Sequence, residues 1–377
     1  MGGKRVNRGT HAASWLLGGA AAGAGAVAVT GVALAARGVR AALGGRPDSA
    51  ALAGSPQFRD GAFRNPAPPR WLPPGSGKQA ARELLFGGQP RHPAAPVPLV
   101  VPSGPAPAEG LHITWFGHAS SLVELDGARV LLDPVWSDRV SPSRLVGPRR
   151  LHPVPHRIDD LPPVDAIVIS HDHYDHLDMP TVLTLARTQR APFVVPLGVG
   201  AHLRAWQVPE SRIVELDWGD ETEAGGLRIV ATPAQHFSGR GFERNNTLWA
   251  SWVIAGERHR VFYSGDTGHF DGFTRIGEQY GPFDATLVQI GAYAPSWPDI
   301  HMTPEEGVAT HLDVRGGLMI PVHWATFNLA PHAWSEPVDR AWQEAKARGV
   351  TLAVPRPGER IDVAAPPQVD GWWTTLS

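Results

Sequence analysis

Short apolar runs separated by turn residues recur along the chain from residue 113 onward, and this pattern is typical of β-strands. The first two runs, 113–125 and 129–132, flank Asp126-Gly127, a dipeptide that favours a tight hairpin turn. Further runs of the same kind occupy 166–170, 193–196, 212–216, 227–232, 247–254, 260–264, 285–290 and 318–322. The pattern therefore predicts β-sheet built from many short strands.

Helix-capping signals lie between these apolar runs. They predict a helix over 181–190 that Asp178 caps, a helix that begins with the capping box Thr303-Pro304-Glu305-Glu306, and a helix over 336–348 that Gly349 ends. Strands thus occur both in hairpins and in alternation with helices. This arrangement indicates a mixed α/β layered domain of about 250 residues, over 110–363, followed by a C-terminal tail over 364–377.

The chain before residue 110 has a different composition. Residues 1–47 combine a basic head with an uncharged Ala/Gly-rich run over 12–36, which is typical of a signal peptide or a membrane anchor; a soluble, disordered extension is the alternative. Residues 48–109 are rich in proline, which does not sustain helices or central strands. We expect them to form an extended segment that wraps the folded domain, with one short helix near 79–85.

Composition narrows the chemistry that the domain can carry. The 377 residues have a formal net charge of −2, which argues against a nucleic-acid partner. The chain contains no cysteine, so disulfides, cysteine zinc sites, iron–sulfur clusters and thiol nucleophiles are excluded. A transition-metal site must therefore use histidine and carboxylate ligands, and the chain has 17 histidines.

The segment His171-Asp172-His173-Tyr174-Asp175-His176 directly follows the apolar run at 166–170. Imidazoles and carboxylates at this density suit zinc, manganese or iron; a surface loop rich in His and Asp is the alternative. Three further ligand types follow later apolar runs, namely His236, Asp266 within Gly265-Asp266-Thr267-Gly268, and His323. Each alone is compatible with an ordinary strand-end residue, but together they indicate a metal centre.

These motifs, in this order, resemble the metallo-β-lactamase fold, which implies a four-layer αββα sandwich with metals at one edge. Over 63–362 the chain also resembles the N-acylphosphatidylethanolamine-hydrolysing phospholipases D. The segments that carry this second resemblance are Phe63-Arg64-Asn65-Pro66, Thr114-Trp115-Phe116-Gly117-His118-Ala119, Leu132-Asp133-Pro134-Val135, 171–178, 265–268, His301-Met302-Thr303-Pro304-Glu305-Glu306 and His323-Trp324-Ala325-Thr326-Phe327.

The resemblance implies two zinc ions, with Mn²⁺ and Fe²⁺ as alternatives. One is expected on His171, His173 and His236, the other on Asp175, His176 and His323, with Asp266 as the bridge. The expected catalytic residues are Asp175, Asp266 and His301, the last in contact with the substrate phosphate. We expect Asp178 to cap its helix and orient a ligand imidazole, and His118 and Asp133 to support the site; His269 and His332 receive no role.

The implied function is hydrolysis of a phosphodiester by zinc-activated water, as a phospholipase D-type reaction on N-acylphosphatidylethanolamine or a related phospholipid. A lactonase, or another small-molecule esterase or phosphodiesterase using the same site, is the alternative. A scaffold protein without catalysis is disfavoured because no ligand is missing. The nucleophile elbow, the P-loop and the His-x-Lys motif are absent from the sequence.

Partners and location follow from the same signals. We expect a phospholipid or small phosphodiester substrate, a membrane surface and, by the resemblance, a homodimer. The N-terminal run favours a membrane-associated or exported protein, with a cytoplasmic location as the alternative.

Overall fold

The computed structural model describes residues 37–68, 75, 78–79, 82–83, 86–101, 104, 109–241 and 243–376. The apolar run over 12–36 lies outside the described residues. Within the described ranges, no helix is both long enough and apolar enough to cross a membrane. Of the helix expected near 79–85, the described residues 79, 82 and 83 are helical, and the remainder lies outside the described part.

Two seven-stranded sheets form the centre of the described residues. The strands are β1 (Phe58–Arg59), β2 (Ala62–Phe63), β3 (Leu111–Gly117), β4 (Ser120–Leu125), β5 (Ala128–Leu132), β6 (Ala166–Val168), β7 (Phe193–Pro196), β8 (Ile213–Leu216), β9 (Glu221–Ala224), β10 (Leu227–Thr232), β11 (Ser251–Ala255), β12 (Arg260–Tyr263), β13 (Phe283–Gln289), β14 (Gly316–Val322), β15 (Thr351–Leu352) and β16 (Arg360–Asp362). One sheet has the order β16-β3-β4-β5-β6-β7-β8, and the other has the order β15-β14-β13-β12-β11-β10-β9. β1 and β2 form a separate two-stranded ribbon.

The α-helices with both ends among the described residues are α1 (Ser49–Leu52), α2 (Met179–Thr188), α3 (Gly200–Ala205), α4 (Gly272–Tyr280), α5 (Pro304–Asp313) and α6 (Glu336–Arg348). All of these except α1 pack on the outer faces of the two sheets. Val182 and Leu185 of α2 and Leu203 of α3 pack in one apolar cluster with the first sheet. Helices α4 to α6 contribute to the larger cluster, which also contains the facing side chains of both sheets. The expected αββα order of layers is confirmed.

The predicted hairpin at Asp126-Gly127 is confirmed. Both residues have positive φ, 51° and 87°, as a type I′ turn requires. The single run expected over 113–125 is wrong, because it contains the antiparallel strands β3 and β4. The chain reverses at Gly117 and His118, whose φ values are 109° and 53°. Both strands are buried along their whole length, so the apolar pattern carried no sign of this turn.

The predicted helix ends agree with the structure to within two residues. The Asp178 carboxylate accepts the Thr181 N–H at the start of α2, and Thr303 and Glu306 form the capping box of α5. Gly349 ends α6 with a φ of 69°. Helices α3 and α4 were not predicted, and the residues capping their N-termini make no side-chain hydrogen bond to the helix. Val199 before α3 has no capping side chain, and Asp271 before α4 has helical backbone angles and does not cap the helix.

The segments on either side of 110–363 pack against this domain. The Ala42 carbonyl accepts two hydrogen bonds from the Arg240 guanidinium, at 3.0 and 2.8 Å. Phe63 is completely buried beside Trp249. In the segment expected as a tail, Trp373 is completely buried and donates its indole N–H to Asp339. Both segments thus contribute apolar side chains to the packed interior.

Candidate metal centre

The predicted site residues follow the carboxyl ends of strands in both sheets. Residues 171–176 follow β6, His236 follows β10, Asp266 follows β12 and His323 follows β14. β10, β12 and β14 run in the same direction, because β10 and β12 each pair antiparallel with β11 and β12 to β14 are parallel. The loops after these strands therefore meet at one edge of the sandwich, as ligand sites in α/β folds commonly do.

Three imidazoles form a first cluster at this edge. His171 Nε2 lies 2.8 Å from His173 Nδ1, and His236 Nε2 lies 3.4 Å from the same atom. The three rings therefore point nitrogen atoms, rather than carbon atoms, toward one another. These residues form one of the groups whose ligand atoms are close enough together to hold a metal ion.

A second cluster lies beside the first. His176 Nε2 and His323 Nε2 are each 3.1 Å from Asp266 Oδ2. The same two nitrogens lie 3.6 and 3.4 Å from Asp175 Oδ2. His118 belongs to this group as well, because its Nε2 is 2.9 Å from Asp175 Oδ2.

Asp266 lies between the two clusters. Besides its contacts with the second cluster, its Oδ2 atom is 3.9 Å from Nε2 of His171, His236 and His301. Gly265 directly before it has a φ of 55°, and a Cβ there would come within 2.8 Å of the Ala250 carbonyl. A glycine at this turn therefore lets the chain place Asp266 against the imidazoles.

The donor atoms fit a divalent cation. His176 Nε2, His323 Nε2 and Asp266 Oδ1 are buried and make no hydrogen bond of good geometry in the described structure. Buried polar atoms are rarely left unpaired, and the two nitrogens both face the Asp266 carboxylate. Imidazole and carboxylate are the ligands that zinc, manganese and iron accept in a site without cysteine.

Hydrogen bonds on the far side of the rings orient their lone pairs toward the cluster. His176 Nδ1 lies 2.5 Å from Asp133 Oδ2, and His236 Nδ1 lies 2.7 Å from the Ile300 carbonyl. Because these acceptors take the proton on Nδ1, each Nε2 is left as an acceptor. His171 Nδ1 lies 2.9 Å from the Ser170 hydroxyl, which in turn donates to Asp133.

Asp133, rather than Asp178, orients an imidazole of the site. Asp133 also accepts from the Ser170 N–H at 2.6 Å and from the Tyr263 hydroxyl at 2.5 Å. The capping role expected of Asp178 is confirmed, but its oxygens are bound by Ser137 and Thr181 and touch no imidazole. Our expectation that Asp178 orients a ligand was wrong, because α2 carries its carboxylate toward its own first turn.

Charges in the centre are strongly unbalanced toward the carboxylates. Although burial opposes a charge on His176, Asp266, Asp175 and Asp133 hold its pKa well above the usual value. Burial lowers the pKa of His118 to about 3, and the neighbouring His323 contributes to the shift. His118 is therefore neutral and donates its N–H to Asp175. Carboxylates that favour a proton on a buried imidazole also favour a bound cation.

Two supporting residues were not predicted to act on the centre. The Asn65 side chain makes two hydrogen bonds to the His236 backbone. Its Nδ2 donates to the His236 carbonyl and its Oδ1 accepts from the His236 N–H, each at 2.8 Å. Arg240 is buried and donates to the Asp172 and Leu177 carbonyls, at 2.6 and 2.7 Å. Asn65 lies within Phe63-Arg64-Asn65-Pro66, one of the segments that carry the resemblance, and this segment was the available signal. Arg240 carried no signal, because its partners are backbone atoms.

A cavity of about 720 Å³ opens over the centre. His173, Asp175, Asp266 and His301 lie in its wall, and apolar side chains line much of the rest: Val140, Phe237, Trp297, Pro298, Ile300 and Leu329. Arg244 adds an exposed guanidinium over the Phe237 ring. Burial lowers the pKa of His301 to about 3, so its imidazole is neutral.

The two histidines without a predicted role lie outside the clusters. His269 pairs with Asp313 at 2.9 Å. His332 Nε2 accepts a hydrogen bond from the Ala292 N–H at 2.9 Å, and the His332 ring stacks on the Tyr293 ring. Both therefore have partners in the surrounding structure that account for them.

Comparisons with known proteins agree with the fold and the centre. A family model described as a β-lactamase superfamily domain matches residues 128–324. An uncharacterized protein of Mycobacterium tuberculosis is 54% identical over 325 residues, which cover 85% of this chain and 87% of the relative. N-acyl-phosphatidylethanolamine-hydrolyzing phospholipase D 1 of Caenorhabditis elegans is 38% identical over 252 residues, covering 63% of this chain and 71% of the relative.

Among solved structures, a metallo hydrolase from the archaeon Ignicoccus hospitalis has the same fold, with a TM-score of 0.51 and 24% identity. The match covers 67% of this chain and 97% of that chain. The chain therefore belongs to the β-lactamase superfamily, and it is a metal-dependent hydrolase with the metallo-β-lactamase fold.

Proposed function

We propose that this hydrolase uses two zinc ions to cleave a phospholipid phosphodiester in a phospholipase D-type reaction. The observation that carries the proposal is the Asp266 carboxylate, whose Oδ2 atom is 3.1 Å from His176 and His323 and 3.9 Å from His171 and His236. A carboxylate shared by two ligand clusters suits a bridged metal pair, and metal pairs about 3.5–4 Å apart are typical of phosphodiester hydrolysis.

The ligand assignment follows the two clusters. His171, His173 and His236 would hold one ion, Asp175, His176 and His323 the other, and Asp266 both. Zinc bonds of about 2.0–2.1 Å in a tetrahedron separate the ligand atoms by about 3.3–3.4 Å. The separations from 2.8 to 3.6 Å within the clusters bracket this value, and the separations of Asp266 Oδ2 from Nε2 of His171 and His236 are longer, at 3.9 Å. Mn²⁺ and Fe²⁺ accept the same ligands and are distinguished by elemental analysis.

In the reaction, the oxygen of water bonds to phosphorus and the bond from phosphorus to the headgroup oxygen breaks. One proton of the water ends on the headgroup oxygen, which leaves as an alcohol. Ions held by these residues would lower the pKa of water and neutralise charge on the phosphoryl oxygens. His301 is neutral and faces the cavity, so its N–H donates to a phosphoryl oxygen. His118 and Asp133 hold Asp175 and His176 in place.

The substrate class is favoured by the cavity and the relatives. The apolar wall suits acyl chains, and the Arg244 guanidinium at the exposed side suits an anionic group. The Caenorhabditis elegans relative is named as a phospholipase D that hydrolyses N-acyl-phosphatidylethanolamine. We therefore propose N-acylphosphatidylethanolamine or a related phospholipid as substrate.

The test is an assay of the full chain on vesicles that contain N-acylphosphatidylethanolamine, with product analysis by mass spectrometry. We expect equimolar phosphatidic acid and N-acylethanolamine, loss of both on chelation, and recovery with zinc. The variant Asp266→Asn should be inactive, and Asp313→Asn, which removes a carboxylate outside the clusters, should retain activity. Cleavage of lactones or small esters, with no product from any phospholipid, would assign the site to the alternative function.

A further inference from the structure

Residues 139–149 form a narrow loop next to the cavity, called here the arginine loop. Arg139 and Arg149 lie opposite each other in an isolated antiparallel bridge. The Val140 N–H donates to the Pro148 carbonyl at 3.2 Å, which closes the stem. The Arg139 guanidinium donates to the Gly147 carbonyl at 2.6 Å. The stem is therefore tied by backbone and side chain, and the tip lies around residues 142–147.

Two large apolar side chains are exposed at this tip. Leu145 is 76% exposed and Val146 is 65% exposed. They are adjacent in sequence. The loop that carries them is closed at its stem and by hydrogen bonds within the loop, from the Ser143 N–H to Ser141 Oγ and from the Leu145 N–H to Ser143 Oγ, each at 3.2 Å. Adjacent exposed apolar residues on a constrained loop mark an interaction site more often than isolated ones do.

Positive charge surrounds the exposed pair. Arg144 directly precedes Leu145 and is exposed, and Arg139 and Arg149 lie in the stem. Asp138 pairs with Arg149 at 2.8 Å and is the carboxylate next to the stem. Apolar residues flanked by arginines match the surface of an anionic bilayer, where the apolar groups enter the acyl boundary and the cations meet phosphates.

The arginine loop continues into the cavity wall. Val140, at its base, lines the cavity and packs in a small apolar cluster with Phe327 and Leu329. Five residues of extended chain span at most about 17 Å, so the tip stays within this distance of Val140. The exposed tip is therefore held close to the cavity that contains His301 and Asp175.

We propose that the arginine loop docks the protein on anionic lipid bilayers, with Leu145 and Val146 inserted and Arg144 on the lipid phosphates. Docking at this loop turns the cavity toward the bilayer, so that a lipid can pass from the membrane to the centre along the Val140 wall. The inference deepens the proposed function, because it concerns how a lipid substrate reaches the proposed site.

The first test measures binding of the full chain to vesicles by sedimentation. Vesicles of phosphatidylcholine with about one third phosphatidylglycerol are compared with pure phosphatidylcholine vesicles. We expect the double variant L145S/V146S to bind the anionic vesicles at least about 10-fold more weakly than the wild type. The matched control is Leu312→Ser, at an exposed leucine of α5, which should bind like the wild type.

Charge reversal tests the electrostatic part separately. We expect R144E to bind anionic vesicles several-fold more weakly, with the difference disappearing at high salt. The control R275E makes the same change at an exposed arginine of α4 and should have no effect on vesicle binding. Equal vesicle binding of the wild type, L145S/V146S and R144E would overturn the proposal. A dimer that L145S/V146S dissociates would also overturn it, because the tip would then bind a second copy.

A soluble substrate separates this inference from the proposed function. We expect L145S/V146S to hydrolyse bis(p-nitrophenyl) phosphate like the wild type and to lose at least about 10-fold in activity on vesicle lipid. Equal loss on both substrates would overturn membrane docking by the loop. If the wild type cleaves no phospholipid but its vesicle binding depends on Leu145 and Val146, docking stands and the proposed substrate fails.

Discussion

Asp133 Oδ2 lies 2.5 Å from His176 Nδ1, and both side chains are completely buried. Asp133 follows β5 directly, and His176 is in the loop after the neighbouring parallel strand β6. The contact keeps the proton of His176 on Nδ1 and leaves Nε2 to face Asp266 and Asp175. The orientation of a proposed ligand thus depends on a residue that is remote in sequence and lies outside both metal clusters.

We expect Asp133→Asn to weaken zinc binding by about 10- to 100-fold, because an amide adds two donors where Asp133 now accepts from His176, Ser170 and Tyr263. Zinc affinity is measured by competition with a coloured chelator. Tyr263→Phe is the control, since it removes one donor and leaves the contact with His176. Unchanged zinc affinity in Asp133→Asn would contradict the orienting role.

Removal of the shared carboxylate tests the metal pair. We expect elemental analysis to find two zinc equivalents per chain in the wild type and no more than one in Asp266→Asn, because Oδ2 is the oxygen common to both clusters. Activity should fall by at least about 100-fold. Asp313→Asn should retain two equivalents. A wild-type content of one equivalent would contradict the bridge.

Asn65 is expected to act through His236. Asn65→Ala leaves the His236 N–H and carbonyl without their side-chain partner, which costs about 1–3 kcal/mol of unfolding free energy. We expect a lower kcat with little change in KM, because the imidazole loses its fixed position. Asn328→Ala removes an asparagine elsewhere and serves as the control. A loss of stability without any loss of kcat would limit Asn65 to a structural role.

His301 is expected to bind substrate rather than metal. In His301→Gln, kcat should fall by about 100-fold, because a donor near the phosphoryl group is lost, while two zinc equivalents remain bound. Steady-state kinetics and elemental analysis on one preparation provide both readouts. His269→Gln is the control. Loss of zinc from His301→Gln would instead identify His301 as a ligand.

His311 provides a pH dependence away from the centre. Burial lowers its pKa to about 4 from the usual 6.5, so the unfolded chain binds its proton at higher pH than the folded chain. As a result, His311 contributes up to about 3 kcal/mol to the dependence of the unfolding free energy on pH. The unfolding free energy is highest above pH 6.5 and decreases as pH falls toward 4.

We expect His311→Gln to show a smaller decrease in unfolding free energy over this pH range, measured by denaturant titration. His92→Gln, at an exposed position, should follow the wild type. Identical pH profiles of His311→Gln and the wild type would contradict the prediction.

Features encoded over a few neighbouring residues were predictable. The hairpin at Asp126-Gly127, the Asp178 cap and the Thr303 capping box each depend on side chains and backbone a few residues apart. The turn at Gly117 was missed because the residues around it are buried without periodicity. Helices α3 and α4 were missed because neither begins with a side chain that caps it.

The sequence alone determined which residue types stand at the ends of which apolar strands, because strand periodicity, caps and ligand chemistry are local properties. Tertiary structure alone decided which nitrogen of each imidazole faces the centre, that Asp133 rather than Asp178 orients His176, and that Asn65 supports His236. These choices depend on distances between loops of different strands. Such distances arise when two sheets pack face to face, and no spacing along the chain specifies them.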